Sequence, residues 1–185
     1  MQKNTILFIG LLIFTILFSA CEKTPVVPND EEVITTLQYS LSPVGGGTPV
    51  LLSFQDLDGD GGNAPVITNG TLEINKTYTG TIVLLNETVN PVDSISTEVA
   101  EEDADHQLFF ESTVSGLSVQ YTDMDGDGNP LGLSSTLTTT TAGAGTLKIT
   151  LRHEPSKSAT GVNTGDISNA GGETDIEVSF DIDVQ

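Results

Sequence analysis

The 185-residue chain has one cysteine, two histidines and no tryptophan, and only six of its residues are Lys or Arg. With Cys21 alone, no disulfide can form within the chain, so an exported domain of this sequence must be stable through its core. Six basic residues against 26 acidic ones leave a formal charge of −20, which repels a phosphate backbone and excludes nucleic acid as a partner. No apolar run reaches the roughly 20 residues of a membrane-spanning helix. There is no Gly-x-Ser-x-Gly elbow and no phosphate-binding glycine loop, so no catalytic residues stand out. A Ser-His-Asp set assembles in space and leaves no mark in sequence, and a hydrolase is therefore the last of the readings.

The N-terminus carries an address. Lys3 precedes an almost unbroken apolar run from Ile6 to Phe18, of a length suited to a signal peptide. The run ends at Phe18-Ser19-Ala20-Cys21, which resembles a bacterial lipobox with Phe18 in place of the usual leucine. Residues 1–20 are thus expected to be a lipoprotein signal peptide, with lipidation at Cys21. Several acyl chains on one cysteine would hold firmly to a membrane. Residues 21–32, with Pro25, Pro28 and a charged end at Asp30-Glu31-Glu32, read as a flexible tether. Glu22-Lys23 loosely resembles a surface-export cue. The expected location is the outer membrane, on the periplasmic face or the cell surface.

Residues 33–185 show no helical period and much strand-like alternation. Ile176, Val178, Phe180, Ile182 and Val184 alternate with polar residues, as do Leu37-Tyr39-Leu41, Val50-Leu52-Phe54, Leu117-Val119-Tyr121 and Leu147-Ile149-Leu151. Half-buried antiparallel strands need that pattern. The expected fold is all-β, an antiparallel β-sandwich of Ig-like or jelly-roll-like type. Two stretches also match in order: Leu52 to Gly61 followed by Gly80 to Leu84, and Val119 to Gly128 followed by Gly145 to Ile149. They suggest two repeated four-strand units, each packing as one sheet of the domain, closed by a C-terminal strand.

Two constellations could carry chemistry. The first comprises two Asp-x-Asp-Gly-Asp-Gly segments, Asp56, Asp58, Asp60 and Asp123, Asp125, Asp127. They match the first half of a calcium loop, but Ile67 and Ser134 stand where its bidentate acid belongs. The same residues make tight hairpin turns, and both readings stay open. The second constellation is His106 and His153. His106 begins one strand and His153 ends another; if the two strands are antiparallel, the imidazoles meet at one edge. Asp103, Asp105 and Glu154 would then complete a ligand set for Zn²⁺ or another divalent transition metal. Two polar residues at a loop edge, with no metal, is the alternative. Asp93-Ser94-Ile95 resembles a three-residue O-glycosylation signal, too short to carry weight.

Pro43-Val44-Gly45-Gly46-Gly47, Asp56 to Asn63, Asp105-His106-Gln107, Leu151 to Pro155 and Gly171 to Ile176 together resemble a family of uncharacterised flavobacterial (Bacteroidota) lipoproteins, along nearly the whole chain from Val33. Members are at times grouped with a periplasmic-binding-fold superfamily, whose larger α/β fold conflicts with the strand pattern here. The resemblance implies an accessory of a TonB-dependent outer-membrane receptor and brings no established site residues. The expectation is a membrane-anchored, non-enzymatic binding module that captures a metal or small ligand; the alternative is a structural or adhesive surface lipoprotein. Cys21→Ser should release the protein from membranes or leave it as a retained precursor. Unchanged fractionation of that variant would remove the anchor.

Overall fold

The long strands form because apolar side chains recur at every second position, so that each can lay one face on a common core. The computed structural model describes residues 32–59 and 61–185; the signal-like stretch, Cys21, the tether through Glu31, and Asp60 lie outside the described residues. In chain order the strands are β1 (Thr36–Pro43), β2 (Val50–Gln55), β3 (Val66–Thr68), β4 (Gly70–Leu72), β5 (Thr77–Leu85), β6 (His106–Ser112), β7 (Leu117–Tyr121), β8 (Ser134–Thr139), β9 (Gly143–His153) and β10 (Glu173–Val184). A two-turn helix, α1 (Ile95–Glu101), lies between β5 and β6.

The strands make two sheets, one of six in the order β3-β2-β1-β5-β8-β7 and one of four in the order β4-β10-β9-β6. All pairings are antiparallel except that of β10 with β4. The expected all-β sandwich is what forms. Its two sheets do not each hold one of the matched stretches. β5, from the first stretch, lies in the six-stranded sheet, whereas its counterpart β9 lies in the other. What the stretches do share is an edge hairpin: the first Asp-Gly loop joins β2 to β3, the second joins β7 to β8.

One core lies between the sheets. Leu37, Tyr39 and Leu41 of β1 and Tyr78, Ile82 and Leu84 of β5 contribute from one side. Leu108 of β6, Leu147, Ile149 and Leu151 of β9, and the β10 row from Ile176 to Val184 contribute from the other. Gly80 is required within β5, since a Cβ there would lie 2.6 Å from the Tyr39 hydroxyl, which hydrogen-bonds Ser135 Oγ at 2.8 Å. Ile95 and Val99 of α1 join the same core, and Ser96 Oγ accepts the Leu84 N–H at 2.6 Å. The outer face of β6 is covered separately: Phe109 packs with Val162 and Ala170 of the long connection from β9 to β10.

Phe180 is fully buried in the middle of the β10 row. Phe180→Ala should lower unfolding free energy by about 3–5 kcal/mol in urea denaturation, through lost burial plus the cavity left behind. A change below about 1 kcal/mol would contradict its place in the core.

Candidate metal centre

The register of β6 on β9 places the two histidines side by side. His106, the first residue of β6, pairs directly with His153, the last of β9. Period-2 alternation then puts them on the core side, two residues beyond Leu108 and Leu151. Their rings stack at 4.7 Å between centroids, tilted by 18°. His106 is fully buried and His153 is 8% exposed. The only two histidines of the chain thus close one end of the sandwich core.

Two carboxylates meet them. Asp175 enters through an irregularity in the β9–β10 ladder. Thr174 pairs with Arg152 and Ile176 with Leu151, so Asp175 is the extra residue of a bulge. Strict alternation would aim it away from the core, opposite to Ile176; the bulge re-aims it inward. Its Oδ1 lies 3.9 Å from His153 Nδ1 and its Oδ2 4.0 Å from His106 Nε2. The approach of this segment depends on Gly172, at φ +69°, where a Cβ would stand 2.1 Å from the His153 carbonyl oxygen. Glu32 comes from the residues just before β1. Its side chain is only 7% exposed, with Oε1 3.1 Å from His106 Nε2.

The protonation pattern of His106 is set from behind. Its Nδ1 donates to the Glu102 carbonyl at 3.2 Å, because a carbonyl can only accept. Nε2 is left facing Glu32, Asp175 and His153. Burial pulls the His106 pKa down, but the Glu32 carboxylate, the Glu102 carbonyl and Asp175 outweigh it, so the net shift is upward. Nε2 has no partner with hydrogen-bond geometry despite its closeness to Glu32, and Glu32 Oε2 is likewise buried without one. His106, His153 and Asp175 offer ligand atoms all within 4.8 Å of one another, and Glu32, Glu102 and His106 form a second such group. Nitrogen and carboxylate donors at this spacing suit zinc or a neighbouring divalent transition ion.

The acids expected from the sequence lie elsewhere. Asp105 and Glu154 are exposed and Asp103 half-exposed, and none belongs to either ligand group. Asp105 and Glu154 directly adjoin the histidines but lie just outside β6 and β9, in the exposed turns that flank them. Glu154 also turns away at φ 49°, while its N–H donates to the Asp105 carbonyl at 2.6 Å. Asp175 and Glu32, which the spacing did not bring forward, take their places. A pair of glycines before a strand, Gly171-Gly172, is the one mark of the bulge in the sequence.

The two Asp-Gly loops direct their carboxylates to their own chain. Asp56 Oδ1 accepts the N–H groups of Asp58 and Gly59 at 3.2 and 2.9 Å, and Asp58 Oδ2 accepts the Asn63 N–H at 3.0 Å. Asp123 accepts from Gly132 and Ser134 at 2.8 Å each. Asp125 accepts from Asp127 and Asn129 at 3.0 and 2.8 Å, and its Oδ2 takes the Lys157 ammonium at 3.0 Å. Burial raises the Asp125 pKa, but these donors outweigh it and bring it down to about 2. Lys157 also donates to the carbonyls of Asp103 and Pro130, so a side-chain ammonium occupies the oxygen cage of this loop. Asp127 is exposed. Among the described residues, neither loop gathers three carboxylates within common ligand range. The geometry is that of carboxylate-capped hairpin turns.

A cleft of about 430 Å³ adjoins the centre in sequence: Val33 and Ile34 follow Glu32, Ile176 follows Asp175, and Phe54 and Leu57 complete the apolar lining. No protein-family model, curated protein or solved structure matches the chain.

Lys157 and Asp125 are both buried, so removing one partner leaves the other charge without compensation. Lys157→Ala should therefore destabilise the domain by about 3–5 kcal/mol in urea denaturation. A loss under about 1 kcal/mol, the range of a surface pair, would show that the latch does not hold the loop.

Proposed function

We propose that this protein is a binding module of the cell envelope that holds one divalent transition ion, zinc in the first place, between His106, His153 and Asp175. The observation that carries the reading is the stacked histidine pair with a bulge-borne aspartate, all three contributing ligand atoms within 4.8 Å. The Nδ1 hydrogen bond of His106 to a backbone carbonyl supports it, since ligating histidines are oriented in this way through their second nitrogen. Burial of the donors favours retention of an ion over turnover of a substrate at it. The lipobox-like Cys21 and the tether add a lipid anchor at the outer membrane, and a TonB-dependent receptor is the partner to which a captured ion, or a small ligand in the adjoining apolar cleft, would be delivered.

A structural or adhesive surface lipoprotein is the second reading. The self-capped acidic loops and the Lys157 latch favour it, because they spend the most conspicuous carboxylates on the fold itself.

Zinc titration by calorimetry separates the two. The first reading expects one site per chain at pH 7.5. His153→Ala and, as the milder change, Asp175→Asn should each lower affinity by at least about 10-fold. The ligand form of imidazole is neutral, so protons compete with the ion. Because the His106 pKa is raised, that competition begins above the ordinary histidine value of about 6.5, and affinity should fall strongly between pH 7.5 and 5.5. Zinc binding that is absent, or indifferent to these substitutions, would leave the structural reading.

A further inference from the structure

We infer that Glu32 is the fourth ligand of this centre, and that an ion bound there fixes the root of the segment leading back to Cys21. The inference rests on the metal-binding reading above and goes beyond it by tying occupancy to the tether.

Three observations on Glu32 point the same way. Its side chain is buried although it comes from the charged run Asp30-Glu31-Glu32, whose composition alone would leave it in solvent. Its Oε1 stands 3.1 Å from His106 Nε2, the ring nitrogen left free by the Glu102 bond. Its Oε2 is buried with no hydrogen-bond partner, and His106 Nε2, although 3.1 Å from Oε1, makes no contact of hydrogen-bond geometry, so a group lying between the two side chains would satisfy both. A cation lying on Nε2 is such a group.

His106 belongs to both ligand groups, the one with His153 and Asp175 and the one with Glu32 and Glu102. A single ion on its Nε2 would have the Glu32 carboxylate, 3.1 Å from that nitrogen, at hand as a second carboxylate. Two imidazoles and two carboxylates make a closed four-coordinate set, the arrangement of a holding site with no position open for a reacting water.

Glu32 lies four residues before β1, and the chain is next secured where Thr35 N–H donates to the Leu85 carbonyl at 2.9 Å. Only ten residues separate Glu32 from Cys21. Coordination by Glu32 thus links the filled site to the stretch nearest the anchor. Linkage is reciprocal: a pull along the chain that displaces Glu32 from the site must weaken the ion's hold by the same factor as the ion opposes that displacement. A receptor that displaces Glu32 in this way would by that act loosen the cargo.

The test uses the full chain stripped with a chelator, with Zn²⁺ as the probe. Affinity is read by competition with a chromophoric chelator, and hydrogen exchange is followed over residues 22–36. Wild type, Glu32→Gln and Glu101→Gln are compared, the last removing one nearby exposed charge from the end of α1. The inference expects Zn²⁺ to slow exchange in that stretch of the wild type. It expects Glu32→Gln to weaken binding by at least about 10-fold and abolish the slowing, with Glu101→Gln close to wild type in both. Wild-type binding that Glu32→Gln leaves intact, or that Glu101→Gln weakens as much, would overturn the role of Glu32 and leave the three-ligand site standing. Equal exchange with and without bound Zn²⁺ would overturn the coupling to the tether. No Zn²⁺ binding by the wild type would overturn the metal-binding reading and this inference together.

Discussion

Everything at the candidate site depends on one register, the pairing of His106 with His153 across β6 and β9. A slip of one residue in either strand would send its histidine to the other face, because side chains alternate with a period of two. The register is held by the core rows behind it. Leu108, Leu147, Ile149 and Leu151 must all face the same apolar interior, and any slip would expose them. The histidines are therefore positioned by hydrophobic burial several residues away, and the imidazole stack needs no strong attraction of its own.

The carboxylates are recruited by departures from regularity. Asp175 reaches the core side only because β10 carries an extra residue opposite β9, and the Gly171-Gly172 approach allows the chain to pass the His153 carbonyl. Glu32 reaches it from outside the sheets altogether. A site built from one regular register and two irregular contributions can change its ligands without altering the sandwich, since bulges and strand approaches tolerate local change that a core row does not. The acidic composition is put to two further uses. Carboxylates in the Asp-Gly loops satisfy their own backbone N–H groups, and Asp125 draws Lys157 into a cage of oxygens that ties the β7–β8 loop to the long connection before β10.

Most of the fold was legible in the sequence, because a two-residue alternation is a direct image of a half-buried strand. The rows ending in Leu41, Phe54, Leu151 and Val184 all lie on strands with their apolar side toward the core. The meeting of His106 and His153 was legible too, from one strand's start and another's end. What the sequence hid was the face on which each acid lies. Asp105 and Glu154 adjoin the histidines in the chain but fall in the exposed turns just outside the strands, whereas Asp175 defies the alternation that so clearly marks β10. Glu32 sits in a run of charge that reads as solvated linker. The Lys157 latch joins residues 32 positions apart with no periodic sign of either. Sheet membership was similarly hidden: matched motifs predict matched turns, and they do not say which sheet the following strand will enter.

The proposed centre places one ion between the two histidines. The most direct measurement is an anomalous difference map at the zinc edge from crystals of the protein grown with Zn²⁺. A single strong peak is expected about 2.0–2.1 Å from His106 Nε2 and from a ring nitrogen of His153, with an Asp175 oxygen at about 2.0–2.2 Å. A map with no peak at that place, or with zinc bound only at the surface acids, would contradict it.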